Sequence, residues 1–356
     1  MATWEKMRLQ RDNGEFVDMQ VPVIVSASRS TDIPAFYADW FFYRLKEKGY
    51  SAWINPFNGV RSYVSYRNTR FIVFWSKNPQ PLIQYLPILK EKGIGCYIQY
   101  SLNDYEKEGL EKSVPPLSKR IDTFKELVDR LGEQHVIWRF DPLVLTDTID
   151  IDRLLSKIEF IGEQLKGYTD KLVFSFADIK TYRKVQSNLN AAGIIYSDWT
   201  EPQMRLFADK LSQLNEKWQY ELATCGEKID LTDFRVKKNH CIDDDLIIRL
   251  AYHDKVLMDY LGVKFFPMPQ PDLFGKTEPL PKGAIELPNG TYAKHGDNSD
   301  KGQRQFCGCI KSKDIGQYNT CIHGCEYCYA TANRALAVAN YKSHQLNNHS
   351  ETITGK

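Results

Sequence analysis

Between about residues 21 and 223 the chain alternates short β-rich runs with amphipathic stretches, and this pattern restricts the fold more than any other feature. The β-rich runs fall at 23–28, 51–55, 71–76, 95–101, 135–140, 171–176 and 218–222. Stretches at 34–48, 80–92, 118–131 and 151–165 repeat apolar residues at helical spacing, the first opening after the helix-start pair Thr31-Asp32. Strand–helix units in succession favour parallel pairing. Seven runs and a weakly marked eighth predict an α/β fold, a TIM-like (β/α) barrel, with an open doubly wound sheet as the alternative.

Several runs end in a polar residue and a proline: Asn55-Pro56, Asn78-Pro79 and Asp141-Pro142. Others end in Ser28-Arg29-Ser30 and Ala177-Asp178. Proline cannot donate to a ladder and is expected to stop the strand. The polar residues before it would face the C-terminal mouth, where barrels carry their chemistry. Asn-Pro and Asp-Pro also begin ordinary turns; recurrence at equivalent positions favours a polar rim.

The barrel is expected over 1–262 and a connector over 263–300, since 266–290 holds six prolines and three glycines. A cysteine-rich segment at 301–340 would close the barrel, and a polar tail at 341–356 is expected to fray. With 47 basic against 45 acidic side chains, charge gives no reason to expect nucleic acid. No apolar run approaches the roughly 20 residues of a membrane span. The polar start predicts no leader, which makes a reducing cytoplasm the expected location.

Eight cysteines stand at 96, 225, 241, 307, 309, 321, 325 and 328, five of them within 22 residues. In a reducing compartment such a group favours metal binding or catalysis over disulfides. Cys321, Cys325 and Cys328 form C-x3-C-x2-C with Tyr327 before the last cysteine. Three thiolates so close suit three irons of a [4Fe–4S] cluster and leave the fourth iron open. Structural zinc is the competing reading, with Cys325-x2-Cys328 as one knuckle and Cys307, Cys309 or His323 supplying the rest. Cys225, Cys241, Cys307 and Cys309 are enough for a second cluster; alternatively Cys225 and Cys241 are small buried hydrophobes, as Cys96 is expected to be.

The C-x3-C-x2-C pattern with its aromatic resembles the cluster motif of radical S-adenosylmethionine (radical SAM) enzymes. The tail from Gln303 through Cys307-Gly-Cys309, Ser312, Asp314-Ile315-Gly316 and Tyr318-Asn319 to Ala330 resembles the bacterial family of domain of unknown function 1848. Val25-Ser-Ala-Ser-Arg29-Ser-Thr-Asp-Ile-Pro34 and Trp138-Arg139-Phe-Asp141-Pro142 resemble that family too, so the likeness runs from about Val21 to Asn333. It implies a cluster and a barrel and no particular substrate. Radical SAM enzymes carry the cluster loop after the first strand, whereas here it lies at the far end, and no Gly-Gly-Glu motif is recognisable. A circularly rearranged barrel reconciles the two, because its last strand neighbours its first.

On that reading the open iron binds S-adenosylmethionine, which one electron cleaves to methionine and a 5′-deoxyadenosyl radical that acts on a substrate. Arg29 and Asp32 are candidates to hold the cofactor's carboxylate or amino group, although Asp32 can equally be a helix cap. Tyr327 and Tyr329 would pack beside the cluster. Arg29, Asp32, Lys77, Asn78, Arg139, Asp141 and Asp178 are the rim candidates for substrate contact or catalysis. Arg139 lies in an apolar run and needs a buried partner, which Asp141 on the same face can supply. The expected partners are a small-molecule substrate and an electron donor. An iron–sulfur electron-transfer or sensing protein and a zinc-stabilised binding module are the alternatives.

Overall fold

The computed structural model describes residues 4–55, 58–270, 279–303 and 306–356. Eight strands form one sheet in which every pairing is parallel. Starting at Ile24–Ala27, the neighbours are Phe71–Ser76, Gly95–Ser101, Val136–Leu143, Lys171–Phe176, Glu221–Thr224 and Val236–Lys238, in chain order. Lys313–Asp314 pairs with the free side of Ile24–Ala27.

The intervening helices form where the spacing predicts. Leu117–Leu131 and Ile151–Leu165 are single helices, the second begun by Asp150, whose side chain accepts from Arg153 N. The 34–48 stretch divides into Ile33–Phe36, Ala38–Tyr43 and a π-helical Arg44–Lys48.

Alternation along the strands sends residues to two faces. One face carries Ile72, Phe74, Ile98, Tyr100, Trp138, Phe140, Leu172 and Phe174 into the core shared with the helices. The other carries Phe71, Val73, Tyr97, Ile137, Val173 and Ala223 into a second core with Ile242, Leu246, Ile247, Cys241 and Cys309. The sheet's two outermost strands are linked through their flanks, because Ile310 N–H donates to the Ile242 carbonyl at 3.1 Å.

Five expectations need correction. The 51–55 run is no part of the large sheet. Tyr50–Ile54 pairs antiparallel with Arg61–Ser65 in a four-stranded sheet with Lys6–Gln10 and Phe16–Gln20. Asn58-Gly59 in the connecting loop, with Gly59 at φ 68°, is the hairpin signal behind this. The strand at Val136–Leu143 runs through Pro142, which sits where the register to Lys171–Phe176 shifts, a place where a missing donor is tolerated.

The connector is not wholly irregular, since Lys264–Phe266, Tyr292–Lys294 and Ile285–Glu286 form a small antiparallel sheet. The helix Arg334–Leu346 extends through the first part of the supposed tail, and the rest is packed. Trp40 Nε1 donates to the Ser350 carbonyl at 2.9 Å, Arg11 pairs with Glu351 at 2.8 Å, and Ile353 is buried. Asn348 Nδ2 also donates to Asp39 Oδ2 at 2.9 Å. The eighth strand, finally, is two short ones, Val236–Lys238 and Lys313–Asp314, too brief to show a period. Pro56, Arg304 and Gln305 lie outside the described residues.

Candidate functional site

The segments leaving the first two strands of the large sheet meet the C-terminal cysteine loop. Asp32, just past Ile24–Ala27, uses both carboxylate oxygens fully. Oδ1 accepts from Ala35 N at 3.0 Å and Ser76 Oγ at 2.7 Å, and Oδ2 accepts from Lys77 N at 2.8 Å. The fourth partner of Asp32 is His323 Nε2, 2.8 Å from Oδ2. The same loop is held by Tyr37 OH donating to the Thr320 carbonyl at 2.7 Å, Ser113 N donating to His323 O at 2.9 Å, and Glu326 N donating to Leu110 O at 2.9 Å.

Cys321, Cys325 and Cys328 come together inside this frame and act on one another electrostatically, with Asp32 beside Cys321 and Cys325. Burial, reinforced by these neighbours, pushes the Cys321 and Cys325 thiols well above the ordinary thiol range. Such thiols stay protonated until a metal displaces the protons. Tyr329, 49% exposed, lies near Cys328 and donates to the Arg29 carbonyl at 3.0 Å.

Tyr327 is buried on the inner side, where its hydroxyl donates to Glu111. Lys77 Nζ, next to Cys325, donates to Glu111 Oε1 at 2.8 Å and to Tyr327 OH at 2.9 Å. Burial acts to raise the Glu111 carboxyl, but Lys77 and Arg120 and the bonds from Lys77 and Tyr327 outweigh it and hold it at about 2.

The other four cysteines form a second group at the second core. Cys225 follows Glu221–Thr224, Cys241 follows Val236–Lys238, and Cys307 and Cys309 precede Lys313–Asp314. Cys225 Sγ and Cys241 Sγ are 3.0 Å apart, and the Cys309 side chain lies near those of Cys241 and Cys307. Cys309 Sγ also accepts from Cys241 N at 3.2 Å and Ile242 N at 3.4 Å. A Cβ on Gly308 would overlap the His240 ring as it stands, so the Cys-Gly-Cys turn lies directly against that side chain.

Arg139, 3% exposed, joins this second group. Its Nη1 donates to Cys241 Sγ at 3.3 Å and Gln99 Oε1 at 3.0 Å, and its Nη2 donates to Asp141 Oδ2 at 2.5 Å. Asn103 links the two groups: its Nδ2 donates to Tyr327 OH at 3.1 Å and Glu111 Oε1 at 3.2 Å, and its Oδ1 accepts from Asp141 N at 2.9 Å. A continuous buried polar network thus runs from Lys77 beside Cys325 to Arg139 beside Cys241.

The remaining candidates are placed as follows. The Arg29 guanidinium lies near Asp314, Cys309, Cys241 and Cys307, with Nη1 on Gln303 and Nη2 on Ser312, so it serves the second group. Asn78 is half-buried, its N–H on Ser76 Oγ at 2.9 Å. Asp178 is exposed and accepts from Thr181 at 2.5 Å. Cys96 is buried in the helix-side core, and burial raises it to about 12. Cys309 lies beside Cys241 and Cys307, and the His323 ring meets Asp32.

Asn103, Glu111 and Gln99 were missed by sequence reasoning. Asn103 follows its strand as Ser101-Leu102-Asn103 without the proline that marked the other strand ends, and Glu111 sits in an aperiodic loop. A surface concavity of about 830 Å³ lined by Lys180, Gln186 and Asp198 shares no lining residue with either group.

The model of the family described as "Domain of unknown function (DUF1848)" matches residues 24–330, which takes in both cysteine groups and every strand of the large sheet. The chain belongs to that family. No curated protein and no solved structure matches it significantly. Among the described residues no helix is long and apolar enough to cross a membrane.

Proposed function

We propose that Cys321, Cys325 and Cys328 hold a [4Fe–4S] cluster with one open iron, and that the protein is a radical SAM-like enzyme acting on an unidentified small molecule. The observation that carries this reading is the convergence of buried Cys325 with half-buried Cys321 and Cys328 near the exit of the first strand, where His323 meets Asp32. When bound, the cluster would supply the single electron that cleaves the sulfonium of S-adenosylmethionine.

The chain's own contribution is placement and shielding. The Lys77 ammonium beside Cys325 offsets negative charge on the thiolates, and Glu111 and Tyr327 hold it there. Tyr327 lies near Cys325 and Tyr329 near Cys328. Asp32 is saturated by its own hydrogen bonds and positions the loop; Ser28–Ser30 and Lys77-Asn78 are the segments left to hold the cofactor's polar ends. The barrel reading is supported by the chain-order succession of parallel strands and by the Ile310–Ile242 bond at the seam.

The test is anaerobic purification followed by iron and sulfide analysis, electron paramagnetic resonance, and reduction in the presence of S-adenosylmethionine. About four irons per chain, lost in the Cys321/Cys325/Cys328→Ala variant, and release of 5′-deoxyadenosine are expected. A cluster that yields no 5′-deoxyadenosine would indicate electron transfer or sensing instead. A chain that takes up no iron would remove the proposal.

A further inference from the structure

We infer that Cys225 and Cys241 form a redox-active dithiol, which exchanges with small-molecule disulfides and closes reversibly to a disulfide of its own. The inference does not depend on the reading of Cys321, Cys325 and Cys328.

Contact distance singles this pair out. Cys225 Sγ and Cys241 Sγ lie 3.0 Å apart, both as free thiols. Closing to a covalent bond of about 2.05 Å asks the two sulfurs to approach by about 1 Å.

The backbone holds the pair in register. Glu221–Thr224 and Val236–Lys238 are parallel neighbours whose last paired residues are Thr224 and Lys238, so both cysteines follow the same end of adjacent strands. Cys225 N–H donates to the Phe174 carbonyl at 3.0 Å, and Asn239 N–H donates to the Thr224 carbonyl at 2.8 Å. The Cys241 carbonyl accepts from Tyr97 OH at 2.7 Å and Gln99 Nε2 at 3.0 Å, and the Cys241 N–H donates to Cys309 Sγ at 3.2 Å. Two thiols fixed in contact react with each other at a high effective concentration, ahead of thiols in solution.

The surroundings of the two sulfurs give them different roles. Cys225 is half-buried, so its sulfur is the one open to a reagent in solution. Cys241 is buried, and its Sγ accepts from Arg139 Nη1 at 3.3 Å and Asn239 Nδ2 at 3.4 Å. A guanidinium and an amide N–H aimed at sulfur favour the thiolate. Cys225 attacks one sulfur of the incoming disulfide, and the first half departs as a thiol. Cys241 then attacks Cys225 Sγ, and the second half departs likewise. Two electrons and two protons pass from the pair to the incoming disulfide, which is reduced to two thiols while Cys225 and Cys241 are oxidised to one disulfide.

The test treats the full chain anaerobically with oxidised glutathione, blocks remaining accessible thiols with iodoacetamide under native conditions, and maps tryptic peptides by mass. Cys225 and Cys241 fall in separate tryptic peptides, 218–228 and 239–249. These are expected as one linked species, separated again by dithiothreitol, while buried Cys96 stays unblocked and reports an intact fold. Cys241→Ser removes the second attack, so Cys225 should be trapped as the mixed disulfide with glutathione. Should that variant fail to fold, the peptide map of the intact chain decides. Unlinked peptides 218–228 and 239–249, or a link from Cys241 to Cys307 or Cys309, would overturn the inference. So would about four irons per chain kept by an anaerobically purified Cys321/Cys325/Cys328→Ala variant, which would make these sulfurs ligands of a second cluster. None of these outcomes bears on the Cys321/Cys325/Cys328 reading.

Discussion

Asp32 and His323 stand 291 positions apart in the chain, and their side chains meet at 2.8 Å in a buried contact. The bond ties the loop after the first strand to the loop carrying Cys321, Cys325 and Cys328. Asp32→Ala would strand His323, Ser76 and the Lys77 N–H without their acceptor. A loss of about 2–4 kcal/mol in urea unfolding is expected. Asp32→Asn keeps the helix cap and should lose about half as much. An unchanged midpoint for Asp32→Ala would refute the tie.

Arg139 and Asp141 form a buried ion pair that also touches Cys241. Arg139→Met leaves Asp141 with its charge unmatched and should cost about 3–5 kcal/mol. Arg139→Met combined with Asp141→Asn should cost less than the two single changes summed, with a coupling of roughly 1–3 kcal/mol. Strict additivity in the double-mutant cycle would show that the pair is not coupled.

A Cβ on Gly316 would collide with Ser28 Oγ, so the C-terminal segment lies directly on the end of the first strand. Gly316→Ala is expected to destabilise by about 1–3 kcal/mol through overpacking. Ser28→Gly in the same chain should restore part of the loss, measured by thermal unfolding. Equal stability of Gly316→Ala and wild type would place the two segments further apart.

Lys313 is buried, and its ammonium lies 3.4 Å from the centre of the Trp53 ring. Burial lowers its pKa from 10.5 to about 8 against the pull of Asp314. Between those values the unfolded chain holds the proton and the folded chain does not, so this residue makes stability rise with pH from about 8 to 10.5. The Trp53 face favours the charged form and returns part of the effect. Relative to Lys313→Met, the wild type should gain about 1–2 kcal/mol across that window. A flat difference between the two pH–stability curves would contradict it.

Much of the large sheet was legible because its central strands are four to eight residues long and apolar on both faces, so their β-rich runs stand out. Tyr50–Ile54 misled because a run of the same composition serves an antiparallel hairpin equally well. The two short strands at the sheet's ends and the packed tail gave no period to read. In the candidate site, the Cys321, Cys325 and Cys328 spacing announced itself locally. The grouping of Cys225 and Cys241 with Cys307 and Cys309, and the link through Asn103, depend on contacts between remote segments that no local pattern encodes.

Ile24–Ala27 gains its neighbour Phe71–Ser76 early in translation, but Lys313–Asp314 arrives only about 290 residues later. At about 5–20 residues/s the nascent polypeptide waits roughly 15–60 s with that β-edge unsatisfied. An unpaired edge of this kind invites association with other chains. Ribosome-bound intermediates and products cut short before residue 313 should therefore be the aggregation-prone species of this protein, and the folding helpers that meet it first should be those that cover bare strands.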